Sequence, residues 1–241
     1  KESVAETLRK EIFTGQPGRN LYRTNKRDLL IQEFTTPVPS NGKKKNRLRD
    51  SGILRNEISS YLFEYLKGFH VATHYVGPRP GAEMLVKFAD PVPLLVRVFN
   101  VPEEDWSNRF GIAPIGRLEF PVIEHYMVGD GGTLTWVNEY HLYAFNLVKP
   151  DEFRQINRLA SKVNAVLRGL CERRELGLAG IGLTFGRYNN QIILTGELSP
   201  VTCRFLDASA LNRKGNGTYT AVETGSDEAL ESFYGRLKLT G

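Results

Sequence analysis

Cysteine, methionine and tryptophan are scarce in this chain, at two residues each, and there are four histidines. Cys171 and Cys203 lie far apart and have no metal-ligand spacing. This argues against a disulfide framework and a cysteine-built metal site, and leaves two buried, reduced thiols as the reading. No apolar run approaches the roughly 20 residues that span a bilayer. No secretory leader is legible from Lys1 onward. Zinc-finger spacing, a helix-turn-helix pattern and an RNA-binding aromatic signature are absent. There is no internal repeat and no low-complexity linker. These absences together set the expectation: a cytoplasmic globular protein with neither a membrane nor a nucleic-acid partner.

The chain has 241 residues, 41% of them hydrophobic, and a net charge of +5. That length suits one large or two small domains and allows most of the chain surface to be buried. The basic balance fits a phosphate-bearing ligand, and equally a mildly basic solvated surface. Its one dense run is Lys43-Lys44-Lys45-Asn46-Arg47-Leu48-Arg49.

Residues 1–11 read as a polar, partly helical lead-in. Ile12-Phe13, Leu21-Tyr22 and Leu29 to Phe34 read as strands, the first two joined by a tight turn at Gly15-Gln16-Pro17-Gly18. Ile53, Leu54, Ile58, Tyr61, Leu62, Tyr65 and Leu66 recur at helical spacing, and Gly68 is a natural stop. His74 to Val76, Met84 to Phe88, Leu94 to Phe99 and Val122 to Met127 are further strands. Pro150-Asp151 opens a long helix whose apolar stripe runs from Ile156 to Leu170. Leu183 to Phe185 and Gln191 to Leu194 form a hairpin turning at Asn189-Asn190. Ser226 caps a last helix, about Asp227 to Lys238. The expected fold is α+β and two-lobed. A β-rich lobe spans 1–91, a mixed lobe spans 92–241, and a ligand cleft lies between them.

One residue stands out on physical grounds. Arg97 interrupts an apolar strand, where a guanidinium is costly without an anionic partner. That partner is a ligand or a buried carboxylate.

The order of the pieces resembles one family, SAICAR synthetase (phosphoribosylaminoimidazole-succinocarboxamide synthase). The matching stretches run from about Ile12 to Arg204. They include Leu29 to Phe34, Asn41-Gly42-Lys43-Lys44-Lys45, Gly52 to Ser59, Thr73-His74, Glu83 to Lys87, Val137-Asn138-Glu139, Leu183 to Gly186 and Glu197 to Pro200. The resemblance implies a ligase in which ATP and Mg²⁺ activate a carboxylate for attack by an amine, aspartate in the family. It implies a small anionic substrate. It leaves open whether the chain forms a homo-oligomer.

Carried over residue by residue, the resemblance suggests Gly15, Gly18, Arg19 and Lys87 for the nucleotide. It suggests Arg97, Ser199, Arg204, Lys43, Lys45, Asn138 and Glu139 for the substrate. Glu197 is the implied metal ligand and, with Lys87, the implied catalytic group. For Gly15 to Gly18 a plain hairpin turn is the competing reading. For Asn138 and Glu139 it is a helix cap.

The same resemblance exposes departures. The family pattern Asp-x-Lys-x-Glu falls on Gly180, Gly182 and Thr184, and two acids around Glu197 are replaced by Gly196 and Val201. The family's lysine loop contains only Arg19 as a cation. Losing one charged group that stabilises a transition state costs on the order of 10²–10³ in rate. Three readings therefore stand: a diverged amide-forming ligase in specialised biosynthesis, an ATP-independent enzyme reusing the anion pocket, and a non-catalytic binding homologue. In the second, Glu139, Glu197, His74 or His125 would serve as acid–base groups.

Overall fold

The computed structural model describes residues 8–16, 18–35, 51–103, 105–111, 118–129, 132–207, 221–222 and 224–238. Two antiparallel sheets organise it. The first has the order β1-β2-β3-β5-β4, from β1 (Arg9–Gln16), β2 (Arg19–Thr24), β3 (Leu29–Phe34), β4 (Tyr75–Pro78) and β5 (Glu83–Lys87). The second has the order β10-β9-β6-β7-β8, from β6 (Asp90–Phe99), β7 (Val122–Val128), β8 (Leu134–Val137), β9 (Leu176–Tyr188) and β10 (Gln191–Thr195). A further strand, β11 (Cys203–Asp207), pairs with β9. The expected division at residue 91 falls just inside β6. The hydrophobic core nevertheless runs unbroken from Leu30 and Phe34 through Val96 and Val98 to Ile156 and Phe233.

α1 (Ser51–Gly68) buries Leu54, Ile58, Leu62 and Leu66 of the stripe its spacing predicts, with Ile53, Tyr61 and Tyr65 half-buried and Phe63 buried as well. α2 (Trp106–Phe110) and α3 (Glu139–Ala144) are short. α4 (Pro150–Glu172) carries Pro at its first turn, and Glu152 Oε2 accepts the Lys149 N–H at 2.9 Å. At the last helix, α5 (Asp227–Lys238), Ser226 Oγ accepts the Ala229 N–H at 3.2 Å, which is the expected cap.

Three expectations need correction. Of the expected helical lead-in at 1–11, residues 1–7 lie outside the described residues, and the chain is strand from Arg9 onward. Arg9 reaches across the sheet to Glu83 at 2.7 Å and Glu33 at 3.2 Å, and its guanidinium lies over the Tyr22 ring. Those cross-strand contacts favour pairing over a helix. Second, β9 is 13 residues long, far beyond Leu183 to Phe185. Its glycines disguised it, because glycine is depleted in strands. They serve close backbone approach: a Cβ at Gly186 would lie 2.8 Å from Ala89 Cβ. Third, β8 and β11 were not legible in the sequence. The Asn189-Asn190 hairpin turn forms as expected, with φ of 48° and 61°.

Candidate functional site

β9 has two successive partners along one edge. β11 pairs with it from Leu176 to Ile181, and β10 from Thr184 to Tyr188. Between them the chain leaves the sheet as the loop from Gly196 to Thr202. Gly182 N–H donates to Thr202 O at 2.8 Å and ties that loop to the strand. Gly196 sits at φ +88°, and a Cβ there would lie 2.5 Å from Thr184 Oγ1. Only glycine fits both demands.

A cavity of about 560 Å³ opens above this split edge. Alternation along the strands decides what faces it. From β9 come Gly180, Gly182 and Thr184; from β6 come Leu95, Arg97 and Phe99. Register places Arg97 directly opposite Gly182, and Arg204 of β11 opposite Gly180. The result is a glycine floor with an arginine rising on either side. Arg19 reaches in from β2 of the other sheet, so the cavity draws on both sheets.

The arginines are held differently. Arg97 is half-buried, with its guanidinium carbon 5.3 Å from the Tyr126 ring centroid. Its neighbour across β7 is Glu124, but that carboxylate takes Arg109 at 3.1 Å and the Tyr126 hydroxyl. Among the described residues, no carboxylate pairs with Arg97. Arg204 meets Glu103 at 2.9 Å, while its Nε is buried with no hydrogen-bond partner in the described structure. For Arg19, burial and then the charge of Arg55 lower the pKa, against an opposing pull from Glu197. Cys203 lines the cavity as a neutral thiol, pushed up to about 12 by burial.

Glu197 sits at the cavity edge, but both of its oxygens are occupied. Arg55 donates to it through Nε at 2.9 Å and Nη2 at 2.7 Å, with both side chains 5% exposed. The Ser199 hydroxyl also donates to Oε1. Ser199 is fully buried and turned toward Glu197, so it is not on the cavity wall where a substrate group was expected. Arg55 was missed in the sequence. The signal was there, a cation on the buried stripe of α1, and the reasoning applied to Arg97 covers it.

Other expected residues lie elsewhere. Lys87 Nζ is 3.5 Å from Thr73 O and lies over the Tyr188 ring, away from the arginine cavity. Gly15 pairs with Asn20 in the β1–β2 ladder. Gly18 adopts φ +78°, and its carbonyl accepts from Thr35 N–H at 3.0 Å and Arg55 Nη2 at 3.2 Å. That is a hairpin turn tied into the fold. Asn138 Oδ1 caps α3, accepting from Tyr140 N–H at 3.1 Å and His141 N–H at 3.3 Å. Neither Asn138 nor Glu139 lines the cavity. His125 bonds Asn157 at 2.7 Å, and His74 is buried against Phe63. Neither histidine lines the cavity. Lys43 and Lys45 lie outside the described residues.

Magnesium takes oxygen ligands, commonly one or two carboxylates together with phosphates. The cavity's two carboxylates, Glu103 and Glu197, are each already on an arginine. No group of three His, Cys, Asp or Glu among the described residues could hold a metal. The residues described do not fit Mg²⁺.

Together these features define a two-sheet α+β protein with an arginine-lined cavity that draws on both sheets. A sequence model described as SAICAR synthetase matches residues 14–219. The phosphoribosylaminoimidazole-succinocarboxamide synthase of Prosthecochloris aestuarii is 36% identical over 220 residues, covering 91% of this chain and 94% of that protein. The synthase of the same name from Clostridium perfringens strain 13 is 33% identical, covering 82% of this chain and 84% of that one. Among solved structures, a SAICAR synthetase in complex with ADP superposes with a TM-score of 0.81 at 28% identity, covering 95% of this chain and 97% of that chain. The Ehrlichia chaffeensis synthase superposes with a TM-score of 0.82 at 26% identity, covering 96% and 100%. The chain belongs to the SAICAR synthetase family, and its α+β fold is the fold of those structures. No helix among the described residues is long and apolar enough to cross a membrane.

Proposed function

We propose that this chain is an amide-forming ligase of the SAICAR synthetase family, acting on a small anionic substrate held between Arg97 and Arg204. The observation that carries this reading is the glycine-floored cavity with those two arginines on either side. Guanidinium forks match phosphate and carboxylate oxygens two bonds at a time. Leu95, Phe99 and Pro200 supply apolar wall that keeps water from the bound anion. Arg19 would hold a nucleotide's phosphates. It lines the cavity from β2, close to Glu197 and Arg55. ATP, when bound, supplies the phosphoryl group that activates a carboxylate for an amine. Glu197 acts as a positioning residue, fixing the loop from Gly196 to Thr202 through Arg55.

The reading places the chain in cytoplasmic biosynthesis, with a substrate pair diverged from that of its relatives. The divergence rests on β9, where Gly180, Gly182 and Thr184 face the cavity in place of the charged set that the resemblance expects. The same observation favours a second reading, an ATP-independent enzyme or a binding homologue that keeps the anion pocket.

The deciding experiment measures ADP release from ATP with aspartate and with alternative amines, alongside formation of phosphoribosylaminoimidazole-succinocarboxamide. That product would carry the relatives' named reaction over to this chain. ADP release with a different pair would establish the diverged ligase. No nucleotide turnover with any pair would sink the ligase reading and leave the second.

A further inference from the structure

The misfit with magnesium has a consequence for how the cavity recognises its ligand. Three guanidinium groups line it, from Arg19, Arg97 and Arg204, against the two carboxylates of Glu103 and Glu197. Three positive against two negative charges leaves +1, and Arg55 directly behind Glu197 adds another. A divalent cation would enter a positive field with no unpaired carboxylate among the described lining residues to receive it. Thr184 Oγ1, the remaining oxygen on the β9 stripe, donates to Thr195 O at 3.2 Å and accepts from the Thr195 hydroxyl. An oxyanion meets the opposite situation. Among the described residues Arg97 has no carboxylate partner, and Arg204, paired with Glu103, keeps a buried Nε–H with no acceptor. The floor leaves space as well: a Cβ at Gly182 would meet nothing closer than 3.5 Å.

We infer that this cavity binds an oxyanion ligand, phosphate or carboxylate, on its arginines alone, with no divalent cation bridging ligand to protein. The inference rests on the anion-site reading above and adds the mode of recognition. Charge-assisted forks give affinity and orientation without a metal. Affinity is therefore indifferent to Mg²⁺ and falls with added salt.

The test is calorimetric titration of the full chain with ribose 5-phosphate and, separately, with succinate, each in EDTA and in millimolar MgCl₂. The expected result is that at least one probe binds, with affinities in the two buffers agreeing within about twofold, and the responding probe tells phosphate from carboxylate. Arg97→Ala is expected to weaken that binding by about tenfold or more, with Arg97→Lys intermediate because it keeps the charge and loses the fork. A melting curve for each variant separates lost binding from lost fold. Free Mn²⁺, followed by its paramagnetic resonance, is expected to stay free in the presence of the protein. Binding only in MgCl₂, or stoichiometric Mn²⁺ capture, overturns the inference while leaving the anion site standing. No heat from either probe in either buffer overturns the anion site itself, an outcome independent of the ADP-release assay.

Discussion

Arg55 and Arg97 are both cations on largely apolar elements, yet they have different surroundings. Arg55 lies on α1 with its side chain 5% exposed, bonded twice to Glu197 and also to the carbonyls of Thr35 and Gly18. Its donors are spent inside the protein. Arg97 lies on β6, half-buried beside a glycine, with a ring beneath it and no carboxylate partner among the described residues. A buried, fully partnered arginine is architecture: here it ties the first helix to the loop after β10. A half-buried arginine over open floor is the one the proposal assigns to an anion. The two sites share the short stretch from Gly196 to Arg204, so one loop serves both the fold and the site.

The largest expected effect comes from breaking the closed site. Glu197→Ala leaves Arg55 buried without its anion, which costs about 3–5 kcal/mol. Urea unfolding measures it, and a loss below 1 kcal/mol would remove the contrast. Gly196→Ala comes next. Its left-handed backbone and the Thr184 hydroxyl predict a loss of about 1–3 kcal/mol in the same measurement.

His74 is buried near Arg19, and its pKa is held down at about 3 by burial, with Arg19 adding to the shift. The unfolded chain binds a proton at this histidine near pH 6.5 while the fold does not. Its contribution is therefore present above about pH 6.5 and declines as the pH falls toward 3, by up to about 1.4 kcal/mol per unit. His74→Gln is expected to flatten the slope of melting temperature against pH over that window. An unchanged slope would show that the histidine is already charged in the fold.

Asn138→Ala removes the α3 cap and costs about 1 kcal/mol. A capping residue leaves ligand affinity unchanged, so a loss of anion binding in this variant would return Asn138 to the site. The smallest stability effect belongs to Arg97→Ala, within about 0.5 kcal/mol, because its charge meets only the Tyr126 ring among the described residues. A loss as large as that of Glu197→Ala would make Arg97 architecture too.

Spacing alone located α1, α4 and α5, because each buries a continuous stripe and carries its own stop or cap. The Asn189-Asn190 turn was legible for the same local reason. Arg97 was legible because a charge in an apolar run needs an explanation wherever it folds. Arg204 and Arg19 came from the order of motifs. Ser199 and Asn138 were assigned to the substrate on that order, and the structure turns them to Glu197 and to a helix end. Lys87 likewise lies off the arginine cavity. β9 was half hidden because its glycines break strand propensity, and their use appears only when β6, Ala89 and the Gly196 loop crowd against them.

The amino-acid sequence by itself determined the three long helices, most of the sheet-forming runs, the family and the absence of charge at positions 180, 182 and 184. Those follow from local periodicity, capping and residue identity. Only the tertiary structure decided that these three positions share one face, that Arg97 and Arg204 flank them, and that Glu197 belongs to Arg55. Such facts depend on strand register and on side chains more than a hundred residues apart. Whether a buried charge is paired or available is settled by what the rest of the chain brings within about 3 Å of it.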